Sequence, residues 1–268
     1  MVLDTVESLW AILDRFSNAA SDEYRAVVEA LRRRQDESRR AALLALLEGS
    51  DAAGNAARLD LPPTGAFVVV AARVAASAES GDPVAPAVLR SCGAGAVWAS
   101  SPAGRIGLVN AHATADLEAL LVRLDADPGT AIGISRVFDR PAGAVTAGRQ
   151  ARLALLALGG GGGVRRFESR PVDVLLVSEP ASATVLRDLV LGNVLRLRDD
   201  DAEKLLSTFE AWIASDGSAA AAGEALHCHR NSVLYRLQRL ESLSGRRVRS
   251  PLELAELVAA VRAHRLVG

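Results

Sequence analysis

Two chemistries overlap in ALHCHRNSVLYRLQRLESLSG, residues 225 to 245. His227, Cys228 and His229 are metal-ligand types, and an HxH triplet on an extended strand would point both imidazoles to one face, with Cys228 or His264 as a third ligand. In a turn between helices that alignment is lost. No CxxC pair or carboxylate-rich set completes a tetrahedral shell, so no metal site is expected and Cys228 reads as a small hydrophobe under the turn. The other chemistry is DNA recognition. Val233, Leu237, Leu240 and Leu243 recur at spacings of four and three and give one buried stripe, while Arg230, Arg236 and Arg239 fall largely away from it. The preceding segment is nearly all alanine (Ala219 to Ala222, then Ala225), which lets another helix cross it closely. A small helix, a tight turn and a long helix with a basic open face are the parts of a helix-turn-helix.

Local charge points the same way. Residues 224–268 carry Arg230, Arg236, Arg239, Arg246, Arg247, Arg249, Arg262 and Arg265 against Glu224, Glu241, Glu253 and Glu256. The whole chain has a net charge of -1, so its global field announces no nucleic-acid partner. Lys204 is its only lysine, and arginine abundance by itself reflects compositional bias.

The elements that must position this segment follow from periodicity and turn residues. Residues 3–17 and about 21–48 read as two helices, the second with apolar ends (Tyr24, Val27, Val28, Leu31, then Leu43 to Leu47) around the charged RRRQDESRR, which is expected to face water. After GSDAAGN the pattern changes to short β-branched runs. AFVVVAA (66–72) reads as a buried strand. AVWASSPAGRIGLVN (96–110) reads as a hairpin turning at Ser101, Pro102, Ala103 and Gly104, ADLEALLVRL as a helix, TAIGIS as a strand and AGAVTAGRQARLALLAL as a helix. The five glycines at 159–163 lack the framework of a phosphate cradle and read as a flexible loop before strands near 164–167 and at VDVLLV (172–177). From about 181 the chain reads helical, with Leu205, Leu206, Phe209, Trp212 and Ile213 on one face, a break at Asp216 and Gly217, and Ser218 as an N-cap.

At 268 residues the chain is long enough for one large or two small domains. Cys92 and Cys228 lie far apart, so neither a disulfide framework nor a zinc ribbon is suggested. The amphipathic, early-acidic N-terminus is unlike a signal peptide, and no apolar run approaches a membrane span. A soluble cytoplasmic protein without a membrane partner is expected.

The segment ALHCHRNSVLYRLQRLESLSGRRVRSPLELAELVAAVRAHRL resembles the C-terminal helix-turn-helix of the PucR/CdaR family of bacterial transcription regulators, whose hallmark includes L-x-x-H-x-N-[ST]-x-x-Y-R-L closed by a glycine. Ala222, Leu226, His229, Asn231, Ser232, Tyr235, Arg236, Leu237 and Gly245 match it. Leu234 stands where many relatives carry arginine, and Cys228 where valine is usual. Upstream, RRRQDESRRAALLALLEGSDAAGNAARLDLPPTGAFVVVAAR and AIGISRVFDRPAGAVTAGRQARLAL are similar to the family's middle domain.

That middle domain resembles the GGDEF nucleotide-cyclase fold, which implies a test for catalysis. A cyclase needs acids that hold Mg²⁺ against a triphosphate and a glycine turn at the hairpin tip. Here the tip reads SSPAG, the strand AFVVVAA offers no acid, and Asp82, Asp116, Asp125 and Asp127 fall in turns or helix starts. No enzyme activity and no cofactor are expected.

The expected fold class is therefore α+β: an N-terminal helical segment (1–49), a degenerate GGDEF-like α/β domain with a mixed sheet (50–180) and an all-helical PucR-type helix-turn-helix domain (181–268). The expected function is sequence-specific regulation of transcription on double-stranded DNA. His229, Arg230, Asn231 and Ser232 would sit at the amino end of the recognition helix, Arg236 and Arg239 would contact phosphate or guanine, and Tyr235 would face DNA or pack on the preceding helix. A dimer or higher homo-oligomer is expected, because one recognition helix reads few base pairs. The middle domain leaves room for a small-molecule effector. The alternative is a non-catalytic interaction module whose helical end docks a partner regulator.

Overall fold

The computed structural model describes residues 2–74, 89, 94–101, 104–111, 113–123 and 130–268, with side chains of the first helix from Glu23 onward. Contacts divide the chain into two compact units, one of residues 1–70, 79–123 and 137–148, the other of 71–78, 124–136 and 149–268.

The first unit opens with α1 (Val2–Leu47), a single helix where two were expected. The stretch SNAAS between the expected pair contains neither glycine nor proline, so nothing there stops propagation. Among the described side chains the distal apolar end packs: Ala42, Leu43, Leu46 and Leu47 are buried, whereas Tyr24, Val27 and Leu31 are exposed. The charge run is not wholly solvated either. Arg39 turns inward and donates to the Asp60 carboxylate at 3.1 Å and to the Leu59 carbonyl at 3.3 Å. The GSDAAGN break holds a short helix, α2 (Ala52–Arg58), capped by the Asp51 side chain, which accepts from the Gly54 N–H at 3.1 Å.

β1 (Ala66–Val74) is the buried apolar strand expected, and Phe67 stacks on Phe138 with ring centres 5.6 Å apart. β2 (Ala94–Ser101) and β3 (Gly104–Ala111) form the expected hairpin, in register from Ala94 opposite Ala111 to Ser101 opposite Gly104. Pro102 and Ala103 of its tip lie outside the described residues, as do Cys92, Asp82, Asp125 and Asp127. Trp98 faces Gly107 across the hairpin, and a Cβ at 107 would fall 2.2 Å from the indole. The absent side chain is what lets the ring lie on β3. α3 (Thr114–Arg123) follows the hairpin.

β4 (Thr130–Ile134), α4 (Ala144–Leu156) and β5 (Gly163–Arg166) agree with the sequence reading. The sheet runs β2-β3-β1-β4-β5 and is mixed, antiparallel at β2–β3 and parallel at β4–β5. Gly133 has no room for a side chain, since a Cβ there would sit 2.2 Å from the Leu155 nitrogen. The α4 backbone therefore rests directly on β4. In the glycine run, Arg73 donates to the carbonyls of Gly159 at 2.6 Å and Gly161 at 3.3 Å.

VDVLLV is a helix, not a strand: α5 (Pro171–Ser178). A short apolar run does not separate a strand from a buried helix by periodicity, and the signals that decide it are Pro171 at the first turn and Asp173 beside it. The rest is helical as expected: α6 (Pro180–Leu195), α7 (Asp199–Ala214), α8 (Ala219–Ala225), α9 (Arg230–Ser244) and α10 (Pro251–Val267). Their common core joins Val190, Leu191 and Val194 to Leu205, Leu206 and Phe209, to Val233, Leu237 and Leu240, and to Leu257 and Val261.

One buried charge ties the second unit together. Asp173, 3% exposed, accepts from Arg165 of β5 at 2.6 Å and from Arg262 of α10 at 2.5 and 2.8 Å. Burial alone would raise its pKa, but the hydrogen bonds and charges of Arg262 and Arg165 outweigh that and hold it below the usual 3.8. A depressed carboxylate contributes stability that is present above its unfolded pKa and is lost as pH falls through the folded one. Asp173→Asn should cost about 2 kcal/mol, below the figure for a wholly buried pair because Arg262 keeps part of its side chain in water. Urea unfolding at pH 7 measures this loss, and the gap between variant and parent should narrow progressively below pH 4.

Candidate nucleic-acid interface

The turn between α8 and α9 is set by three local features. Ser218 caps α8 by accepting from the Ala221 N–H at 3.2 Å. Gly223 lets the chain fold back on itself, because a Cβ there would lie 2.7 Å from the Cys228 carbonyl oxygen. Its own carbonyl accepts from the Cys228 N–H at 2.8 Å, and His227 takes a positive φ of 51° to complete the reversal. Cys228 is partly buried against the helical core, as a small hydrophobe under the turn. Among the described residues no group of three or more His, Cys, Asp or Glu side chains is arranged to hold a metal.

α9 begins at a histidine cap. The Nδ1 of His229 accepts from the Asn231 N–H at 3.2 Å, which leaves proton donation to its other ring nitrogen. The helix ends at Gly245, whose φ of 68° closes it in the left-handed conformation. Val233, Leu237 and Leu240 are buried, as the stripe required, and Leu243 packs partly against them.

The opposite face collects the residues singled out from sequence. Asn231, Ser232, Tyr235, Arg236 and Arg239 line one cleft of about 470 Å³ together with Asp201, Lys204 and Leu205 of α7. Tyr235 is 65% exposed, so it faces outward and does not pack on α8. His229 and Arg230 are exposed at the start of the helix but do not line the cleft. Arg236 departs from expectation: it is half-buried and donates to the Thr208 hydroxyl at 3.2 Å, while that hydroxyl donates to the Lys204 carbonyl at 2.6 Å. Its guanidinium is thus held by α7. The contribution of Lys204 and Thr208 was not visible in the sequence, since α7 reads there as an ordinary amphipathic helix.

The arginine excess divides in two. Arg246 pairs with Glu256, Arg247 with Glu253 at 2.7 Å, Arg262 with Asp173 and Arg265 with both Glu203 at 2.7 Å and Glu210 at 2.8 Å. The hydrogen bonds from Arg247 lower the Glu253 pKa to about 2, and those from Glu203 and Glu210 raise that of Arg265. These four arginines bind the helical core together. Arg230 and Arg239 of α9, and Arg249 after it, have no ion-pair partner among the described residues. Within residues 224–268, the arginines without an ion-pair partner among the described residues thus lie on α9 and just beyond it.

A short capped helix, a glycine-dependent turn and a long helix with an uncompensated basic face define a helix-turn-helix protein of the DNA-binding, transcription-regulating class. Residues 205–263 match the family model for the PucR C-terminal helix-turn-helix domain, and residues 45–157 match that for the GGDEF-like domain. The chain thus carries a PucR-type helix-turn-helix domain and a GGDEF-like domain. No curated protein matches it. A solved structure of a regulator of polyketide synthase expression from Bifidobacterium adolescentis is similar at 20% identity, over 85% of this chain and 92% of that one, with a TM-score of 0.43. Among the described residues no helix is long and apolar enough to cross a membrane.

Gly223→Ala should destabilise the helical unit by about 1–3 kcal/mol, because the new methyl meets backbone and not a movable side chain. Thermal unfolding followed at 222 nm checks this. A melt unchanged from the parent would mean that the turn relaxes without cost.

Proposed function

We propose that the chain is a sequence-specific, DNA-binding transcriptional regulator in which α9 is the recognition helix. The observation that carries the reading is the division of the arginines: internal carboxylates engage those of α10 and the preceding loop at Arg246 and Arg247, while the outer face of α9 keeps Arg230 and Arg239 uncompensated. Asn231 and Ser232 stand at the amino end of that helix, where backbone N–H groups and short polar side chains suit phosphate and base edges. Tyr235 and Arg239 reach further along the same face. Arg236, pre-oriented by Thr208, suits a phosphate held at a fixed distance from α7. His229 serves the interface chiefly by capping the helix.

The GGDEF-like domain acts in this reading as a non-catalytic platform that positions the DNA-binding end and offers a place for a metabolite. Its hairpin lacks an acidic tip, and the Asp116 carboxylate is engaged at the start of α3, where it accepts from the Ala113 N–H at 3.2 Å. The three-part division at about 49 and 180, and action as a dimer or higher oligomer on repeated half-sites, belong to the same proposal.

The test is binding to genomic fragments recovered with the purified protein, measured by anisotropy across a salt series. Each neutralised phosphate adds about -0.9 to the slope of log affinity against log salt. Arg239→Ala should weaken specific binding about tenfold or more without altering the melting temperature. Arg236→Ala should lower both affinity and stability, since it also removes the Thr208 bond. Arg247→Ala, whose charge is already paired, should leave affinity within about twofold. Salt-independent binding to no fragment in particular, or an Arg239→Ala protein that binds as the parent does, would return the helical end to a protein-docking role.

A further inference from the structure

The exposed apolar residues of α1 recur with a fixed period. Tyr24, Val27 and Leu31 are 72%, 53% and 59% exposed, and spacings of three and four put them on one face. From Glu23 to Arg34 every side chain is exposed except Val28, which is partly covered. Glu29 and Arg33 pair at 3.5 Å on the opposite face, which supports the helix but covers none of this stripe. A helix with so long a stretch off the core is marginal in water unless something packs on it.

The sequence carries the same seam back toward the amino end in an unbroken seven-residue repeat. With Tyr24 and Leu31 at position a and Val27 at d, the preceding a and d positions are Ala20, Ser17, Leu13, Trp10, Val6 and Leu3. Leu9, Phe16 and Val28 widen it at the flanking positions g and e, while Arg15, Arg25, Arg32 and Arg33 all fall at b, c or f. A strict repeat of seven is the pattern of a supercoiled seam, not of a helix lying on a globular core. The seam also stops where the fold begins. Its next positions are Arg34 and Ser38, and there α1 comes against β2, Arg39 bonds to Asp60 and Leu59, and Ala42 to Leu47 enter the core. A stripe that ends at the edge of its own core is directed at a partner outside it.

We propose that α1 pairs with α1 of a second copy as a parallel, in-register, two-stranded coiled coil over residues 3–31. Charge favours this occupant and this direction. Parallel alignment sets each flanking acid opposite an apolar residue of the second copy, Glu7 with Val2, Asp14 with Leu9 and Glu23 with Val28, so no like charges face each other. Area agrees: at about 60–120 Å² for each Val or Leu and about 150–250 Å² for each Trp or Tyr, two seams bury roughly 1,200–2,200 Å², the size of a stable specific interface. The proposal rests on the oligomeric part of the proposed function and names its surface. The reading of α9 as the recognition helix stands whether or not α1 pairs.

Sedimentation equilibrium of the full chain without DNA tests it, and a dimer is expected. Val27→Glu combined with Leu31→Glu should weaken self-association about a hundredfold or more, because unpaired carboxylates would enter the seam. Both positions are exposed in the single chain, so the variant keeps its globular fold. Ala26→Glu, equally exposed but outside the seam, should change association less than about twofold. Direction is read by disulfide trapping in a chain carrying Cys92→Ala and Cys228→Ala: Val27→Cys should cross-link two copies, and Ala26→Cys should not. Arg239→Ala, which tests DNA contact, should sediment as the parent does, so failure of one reading is distinguishable from failure of the other. A monomeric parent, a Val27→Glu/Leu31→Glu protein that associates as the parent does, or the absence of a Val27→Cys cross-link would overturn the proposal.

Discussion

The second unit is organised around a carboxylate that cannot be left alone. Asp173 is buried on α5, and a charge in that position persists only because Arg165 and Arg262 reach it from β5 and α10. The pairing fixes where α10 lies against α5, and α10 in turn packs along α6 and contributes Leu257 and Val261 to the core under α9. Arg265, one turn further along, adds the bonds to Glu203 and Glu210 of α7. The last strand of the sheet and the last helix of the chain are thus joined through one side chain.

Those ion pairs also shape the surface that is free to meet a ligand. Positive charge already engaged by a carboxylate of the same chain is less available to phosphate, because binding would compete with the existing pair. A helical end that looks uniformly arginine-rich in sequence is in fact sorted into structural arginines and surface arginines. The sorting is spatial: the surface set lies on α9 and just beyond it, at the helix whose turn, cap and buried stripe already mark it as the recognition element.

The two halves of the molecule use the absence of a side chain in the same way. Gly107 admits the Trp98 ring to the face of β3, Gly133 lets the α4 backbone rest on β4, and Gly223 lets α8 turn back beneath Cys228. In each case a methyl would meet atoms at less than the closest ordinary separation. These glycines are packing positions, chosen for lack of volume more than for freedom of φ.

Much of the architecture was legible in the sequence because it rests on local rules. The 3.6-residue stripe of Val233, Leu237 and Leu240, the Ser218 cap, the Gly245 stop and the hairpin between two β-branched runs are each determined by residues close together in the chain, and the structure has them where periodicity put them. The elements misread are those whose local signal is ambiguous. VDVLLV is a helix that packs Leu176 with Ala183 and with Ala263 far along the chain, and α1 is one helix because no breaker interrupts it. The site was legible as a set of residue types but not as a charge distribution. Which arginine meets Glu203, Glu253 or Asp173 depends on which helices pack together, and Thr208 comes to hold Arg236 from 28 positions away. Sequence alone determined the periodic and capped elements, since neighbours along the chain impose them. The tertiary structure decided which charges are spent inside and which remain outside, because a charge's partner is set by distance in space.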